Sequence, residues 1–97
     1  MKTNNDVGCG LCNATWGEYC RDIDGDRMLF CCNICADIFE TMVEKVKENT
    51  GWKKIDYVEL VGNYSKGREC TASSGNEKFS YYFRTYSDGT FITFQKR

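Results

Sequence analysis

The stretch that decides the fold is FCCNICADIF, residues 30–39, in which three thiols run directly into a helical pattern. Upstream, residues 9–12, CGLC, supply a second close pair of thiols. Together the two segments read C-x2-C-x19-C-x2-C, a spacing typical of a four-thiolate zinc site. Zinc prefers four tetrahedral ligands, and one C-x2-C turn can direct two sulfurs at the same ion. The pattern therefore predicts that both cysteine segments converge on one metal ion.

The ligand set depends on where the helix begins. The ligands that the spacing predicts are Cys9, Cys12, Cys32 and Cys35. If Asn33 is the N-cap, Cys32 precedes the helix and Cys35 lies in its first turn. If the helix begins one residue earlier, Cys31 and Cys35 form a C-x3-C pair instead. Asn is a much better N-cap than Cys, so this argument favours Cys32 and leaves Cys31 as the alternative.

Two further cysteines, Cys20 and Cys70, are spare thiols, either of which could substitute for Cys12 or join a second, weaker site. We expect both to be ordinary, partly buried thiols, since unligated cysteine often packs as a small apolar residue. The expected cofactor is one Zn²⁺ ion. Iron remains an alternative, because a rubredoxin-like site uses the same four thiolates.

Composition limits the class of protein. The 97 residues hold seven cysteines and no histidine or proline. No stretch approaches the roughly 18–20 apolar residues that a membrane-spanning helix needs, and residues 1–6 lack the apolar segment of a secretory signal. We therefore expect an intracellular, cytoplasmic protein whose clustered thiols bind metal. Histidine, the commonest general base, is absent, and we therefore expect that the protein is not an enzyme.

Charge is distributed unevenly along the chain. Residues 1–50 hold five Lys/Arg and nine Asp/Glu, whereas residues 51–97 hold eight and five. A polyanion would therefore meet the second half, but the excess is too small to predict nucleic-acid binding by itself. Aromatic residues beside Arg84 on the last predicted hairpin, Tyr82 among them, leave nucleic acid as a possible partner that is not favoured. The expected partner is an unidentified protein, and no small-molecule substrate is indicated.

Secondary-structure signals predict an α+β fold in one domain, residues 1–97, with residues 1–8 as a frayed polar end. Cysteine loops and a short hairpin turning at Asp24-Gly25 occupy residues 9–35. A helix follows over 34–48, where the apolar period becomes 3.6. An antiparallel sheet fills 55–96, with a long polar connection at 62–76 and a hairpin closed by Asp88-Gly89. The helix is expected to pack on this sheet.

Pairing across the two hairpins follows from the turns. In the first hairpin Cys20 should lie opposite Leu29, and Tyr19 opposite Phe30. In the second, Phe83 should lie opposite Phe94, and Thr85 opposite Ile92. Alternation then places Phe79, Tyr81 and Phe83 on one face, while Tyr82, Arg84, Tyr86 and Phe91 point the other way. Trp16 and Trp52 are expected to anchor the core.

A family resemblance supports the prediction of a metal site. Residues 9–42, with the upstream C-x2-C and the motif FCCxxCxxxF, resemble the TRASH family and its treble-clef relatives. That resemblance implies heavy-metal sensing or trafficking, or a ribosomal zinc protein, and a C-x3-C ligand pair that uses Cys31. The whole chain also resembles a small archaeal, Thermoplasma-type family of uncharacterised zinc-binding proteins. This second resemblance implies a helix-flanked β-sheet with a cysteine-bearing loop region.

The sequence thus predicts a small zinc-binding protein with a structural four-cysteine site that acts as a binding or accessory module. Two alternatives remain open. One is a copper- or zinc-handling module, in which the surplus thiols make the metal exchangeable. The other is a nucleic-acid- or ribosome-associated zinc protein that uses its basic hairpin.

Overall fold

The computed structural model describes residues 1–4, 8–12, 14–63 and 65–97. One helix packs on mostly antiparallel strands, which confirms the α+β prediction. The elements in chain order are β1 Lys2–Thr3, β2 Tyr19–Ile23, β3 Asp26–Phe30, α1 Asn33–Thr50, β4 Tyr57–Asn63, β5 Gly67–Ser74, β6 Glu77–Thr85 and β7 Phe91–Lys96. A five-stranded sheet has the order β1-β4-β5-β6-β7, and β2 and β3 form a separate two-stranded sheet. No helix in the described ranges is long and apolar enough to cross a membrane.

The first hairpin turns where the sequence predicts. Asp24 and Gly25 have φ angles of 57° and 85°, the left-handed pair that a type I′ turn requires. The register is also confirmed, with Tyr19 opposite Phe30 and Cys20 opposite Leu29. This hairpin carries the chain from the first cysteine pair to the second.

The helix is longer at both ends than predicted. It spans Asn33–Thr50, and its N-cap is Cys32, so the prediction of Asn33 as the cap is wrong. Cap preference is worth only about 1 kcal/mol, which tertiary contacts of the neighbouring cysteines can outweigh. The helix ends where Gly51 adopts φ 77° and donates its N–H to the carbonyl of Lys47, a left-handed termination typical of glycine.

The sheet contains two strands, β1 and β5, that the local sequence pattern does not predict. The segment predicted as a polar connection, 62–76, contains all of β5, where the buried Arg68, Cys70 and Ala72 alternate with more exposed residues. Residues 1–8 were expected to fray, yet β1 pairs in parallel with β4 through Lys2–Tyr57 and Thr3–Val58. Both strands depend on partners far away in sequence, and their polar composition conceals the pairing.

The last hairpin contains a bulge. Phe83 lies opposite Phe94 as predicted, but a register shift after Arg84 pairs Thr85 with Phe91 and not with Ile92. The extra residue turns Phe91 inward, and its ring centroid lies 5.3 Å from that of Phe83. The predicted outward orientation of Phe91 is therefore wrong, because a bulge reverses the alternation beyond it.

The core lies between the helix and the inner face of the sheet. Tyr81, buried in β6, donates its hydroxyl to the Met42 sulfur at 3.2 Å. Phe30 joins the first hairpin to this core, with its ring centroid 5.5 Å from that of Phe39. Trp52 packs partly against the core as expected. Trp16 does not, since it is 61% exposed.

Candidate metal centre

Four sulfurs from the two cysteine segments form one cluster. The Sγ atoms that lie within 4.8 Å of one another belong to Cys9, Cys12, Cys31 and Cys35. Cys9 is buried and the other three are half-buried. The chain's seven cysteines, all within its described part, form no disulfide. The predicted convergence of the two segments is therefore present as geometry.

The first segment is a tight turn whose backbone N–H groups point at the Cys9 sulfur. Cys9 Sγ accepts hydrogen bonds from the backbone N–H groups of Leu11 and Cys12, each at 3.4 Å. The Gly10 N–H donates to the Leu29 carbonyl at 2.8 Å, which ties the turn to β3. Amides directed at a sulfur favour its thiolate form, which is the form that binds metal.

The second segment comes from the end of β3 and the start of α1. Cys31 Sγ lies 3.6 Å from Cys12 Sγ and 3.4 Å from Cys35 Sγ. Cys35 lies in the first turn of the helix, which starts at Asn33. The positive end of the helix dipole therefore faces the cluster and favours negative charge there.

The cluster has the dimensions of a tetrathiolate site. Zn–S bonds of about 2.3 Å in a tetrahedron hold the sulfurs about 3.8 Å apart. The sulfur–sulfur distances Cys31–Cys35 and Cys12–Cys31, 3.4 and 3.6 Å, are slightly shorter than this spacing. The upper limit of 4.8 Å for all four sulfurs is slightly longer. Small side-chain rotations would bring the four sulfurs to a common ion. These residues thus fit Zn²⁺ or another thiophilic metal.

Hydrogen bonds within the cluster separate the cysteine pKa values. The pKa of Cys9 is lowered to about 4, chiefly because Cys35 donates a hydrogen bond to its sulfur. The same hydrogen bond raises the pKa of Cys35 well above its ordinary value, and burial acts in the same direction. Burial also raises the pKa of Cys31 to about 12. Without metal, these shifts favour a thiolate at Cys9 and protonated thiols at Cys31 and Cys35.

Cys32, the residue that the capping argument favoured, lies beside this group and not within it. Its Sγ is 3.8 Å from that of Cys31. As the N-cap it has extended backbone angles, and the backbone amide of Cys35 acts to lower the pKa of its thiol. The helix begins one residue earlier than the Asn33 cap requires, so the C-x3-C alternative, Cys31 with Cys35, is the pair that joins the cluster.

The two spare thiols lie outside the cluster. Cys20 is exposed on β2, and Cys70 is buried in β5. Burial raises the pKa of Cys70 to about 12, so this thiol is neutral in its apolar surroundings.

Sequence reasoning missed one charged residue of the core, Arg68. Its side chain is 5% exposed, and its guanidinium carbon lies 5.8 Å from the centre of the Phe83 ring. The segment around it was interpreted as a polar connection, in which a buried arginine is not expected. Arg68, Cys70 and Ala72 stand at every second position, which is the spacing of residues on one face of a strand. This spacing indicates burial of Arg68 only if the segment is already known to be a strand.

The outward face of the sheet bears on the nucleic-acid alternative. Tyr82, a predicted stacking residue, lies so close over Gly67 that a Cβ there would approach its hydroxyl oxygen to 2.2 Å. The Arg97 guanidinium carbon lies 4.7 Å from the Tyr82 ring centre, and Arg97 is paired with Glu69 at 2.9 Å. The aromatic surface and the nearest cation on this face thus already have partners within the chain.

The fold and the cluster define a class: a small α+β protein with four cysteines close enough together to hold a metal ion. The chain belongs to the Ta0938 family, an archaeal-type family named after a Thermoplasma acidophilum protein, whose family model matches residues 6–97. No curated protein and no solved structure is significantly similar to the chain.

Proposed function

We propose that this protein binds one Zn²⁺ ion through Cys9, Cys12, Cys31 and Cys35, and that the ion stabilises its N-terminal loops. The observation that carries the proposal is the convergence of four sulfurs within 4.8 Å. The order of a cysteine turn, a hairpin and a helix supports a treble-clef-like arrangement of the type found in TRASH domains. Zinc is favoured over harder metals because all four ligands are sulfur.

The proposed role is that of a binding or accessory module and not of an enzyme. A structural tetrathiolate shell fills all four zinc positions and leaves none for a reacting water. The partner we propose is another protein. A cytoplasmic location is part of the proposal, because reducing conditions keep clustered thiols available for metal.

The proposal is tested by metal analysis of protein purified without added zinc. We expect one zinc per chain in the wild type and its loss in Cys35→Ser and Cys31→Ser. Cys32→Ser and Cys20→Ser are the matched controls and should retain the metal. Loss of zinc from Cys32→Ser with retention in Cys31→Ser would instead support the C-x2-C ligand set.

The pH dependence of binding follows from the pKa shifts in the cluster. Since the pKa values of Cys31 and Cys35 are raised, zinc must displace their protons at neutral pH. Affinity should therefore rise with pH, and zinc uptake in weakly buffered solution should release protons. Proton release measured by calorimetry in buffers of different ionisation enthalpy checks this prediction. Zinc binding without any release would contradict it.

A second candidate function, heavy-metal sensing or trafficking, is favoured by one observation. Cys32 Sγ lies 3.8 Å from Cys31 Sγ, so a fifth thiol stands next to the cluster. A neighbouring sulfur can replace a ligand during transfer and would suit Cu(I), which accepts thiolates readily. Rapid exchange of zinc for Cu(I), slowed in Cys32→Ser, would support this function. Zinc that leaves only when the protein unfolds would support the structural role.

A further inference from the structure

The sheet buries a positive charge that has no ion-pair partner among the described residues. Arg68 lies in β5 opposite Phe83 and Gly62, and its side chain is 5% exposed. Neither its Nε nor its Nη1 has a hydrogen-bond acceptor among the described residues. Burying an unpaired charge destabilises a fold strongly, so an arginine at such a position needs a compensating negative charge.

The end of the sheet that holds Arg68 and Phe83 lies against the start of α1, since a Cβ on Gly89, in the turn after β6, would lie 3.4 Å from Ile34 and 3.5 Å from Ile38. Cysteine sulfurs are the groups whose ionisation acts on the guanidinium there. Burial lowers the pKa of Arg68, while thiolates at Cys35, Cys70, Cys12 and Cys9 act in the opposite direction. Three of these four belong to the cluster. The Phe83 ring contributes a weaker attraction, since the face of an aromatic ring attracts a cation lying over it.

A metal-loaded cluster would supply the missing charge. Four thiolates around a divalent ion carry two surplus negative charges, which are costly to bury next to the core. One arginine within the same interior offsets part of that charge, and the cluster in turn compensates the arginine. Groups beyond the metal's own ligands commonly tune metal sites in this way.

We propose that Arg68 is the internal counter-charge of the four-cysteine centre, strengthening metal binding and tuning the bound metal through its charge. This inference rests on the proposed function, since it needs a metal held by the cluster. In this scheme Arg68 acts on the metal centre through its charge and is not itself a metal ligand.

The test compares zinc affinity across variants by competition with a chromophoric chelator at fixed pH. Arg68→Met and Arg68→Gln remove the charge and should each weaken binding by about 10- to 100-fold. Arg68→Lys keeps the charge and should stay close to the wild type. Arg84→Gln, on the exposed side of the neighbouring strand, is the matched control and should not change the affinity.

A second measurement separates charge from packing. In the iron-substituted protein, the reduced centre is the more negative one, so a nearby cation raises the Fe(III)/Fe(II) reduction potential. The potential should fall in Arg68→Met and Arg68→Gln and be retained in Arg68→Lys. The counter-charge role would be overturned if Arg68→Met and Arg68→Gln bound zinc as tightly as the wild type. It would also be overturned if Arg68→Lys lost as much affinity as they do. Either result would leave the proposed function intact. A wild type that binds no metal would overturn the proposed function as well.

Discussion

The two parts of this molecule are held together by different means. Within the described residues, the N-terminal region, 8–32, buries five apolar side chains: Cys9, Leu11, Ile23, Met28 and Phe30. The C-terminal region, 33–97, buries fourteen between the helix and the sheet. Burial stabilises roughly in proportion to apolar area, so the C-terminal region has most of the hydrophobic stabilisation. In the function proposed above, the N-terminal region depends on a metal ion held by its cysteine cluster and on a few contacts with the helix.

Removing the metal should have the largest effect, and this effect should be confined to the N-terminal region. Structural zinc contributes about 10–16 kcal/mol in zinc-finger peptides, more than the N-terminal region can recover from its small core. After chelation we expect its amides, Gly10 among them, to lose protection from hydrogen exchange, while amides of β5 and β6 remain protected. Exchange measured by mass spectrometry before and after chelation checks this. Uniform loss across both regions would show that the C-terminal region cannot fold alone.

A cavity in the sheet should have the next largest effect. Phe83 is fully buried between Tyr81 and Phe91, and Phe83→Ala should reduce the free energy of unfolding by about 3–5 kcal/mol. Because this residue packs in the C-terminal region, the loss should be similar with and without zinc. Urea unfolding under both conditions measures it, and Tyr86→Ala, at a side chain that is 58% exposed, is the control. A loss confined to the metal-free protein would contradict the division into two regions.

The ion pair between the regions should have a moderate effect. Asp24, in the hairpin turn, pairs with Lys47 of the helix and accepts the Ile55 N–H at 3.2 Å. Asp24→Asn should cost about 1.5–3 kcal/mol, the usual range for hydrogen bonds to a charged group. Asn keeps the left-handed turn conformation, so the change mainly removes the charge.

The same pair predicts a pH dependence. Burial acts to raise the pKa of Asp24, but the Lys47 and Ile55 hydrogen bonds outweigh it and lower the pKa. A folded-state pKa below the unfolded value of about 3.9 means that the stabilisation is present above that value. It is lost as the pH falls through the folded-state pKa. Asp24→Asn should reduce the loss of stability at low pH, whereas Asn at the exposed Asp22 should leave it unchanged. If the stability of Asp24→Asn and of the wild type depended equally on pH, Asp24 would not be the group responsible.

The helix end should show the smallest effect. Gly51 has φ 77°, and a Cβ there would meet no other atom within 4 Å. Gly51→Ala therefore costs only the left-handed backbone conformation, about 1–2 kcal/mol. Gly51→Asn should recover part of this loss, since Asn tolerates that conformation. Thermal unfolding of the two variants measures the difference, and an Ala variant as stable as the wild type would show that the helix ends elsewhere.

Much of the fold could be predicted where local chemistry decides it. Asp24-Gly25 determined the first hairpin and its register, because few dipeptides adopt that turn as readily. The apolar period after Asn33 predicted the helix. The bulge at Arg84 and the pairing of Lys2–Thr3 with β4 could not be predicted, since each depends on a strand partner whose position no local pattern specifies.

The order of residues along the chain was enough to predict that two cysteine segments flank a hairpin and meet at the start of a helix. The folded structure was needed to establish that Cys31 and not Cys32 joins the cluster, because a shift of one residue in the helix start changes which side chain faces the other sulfurs. It also decided that Arg68 is buried. The spacing of thiols is a property of the local chain, whereas the direction of a side chain and the charges around it are set by everything that packs against it.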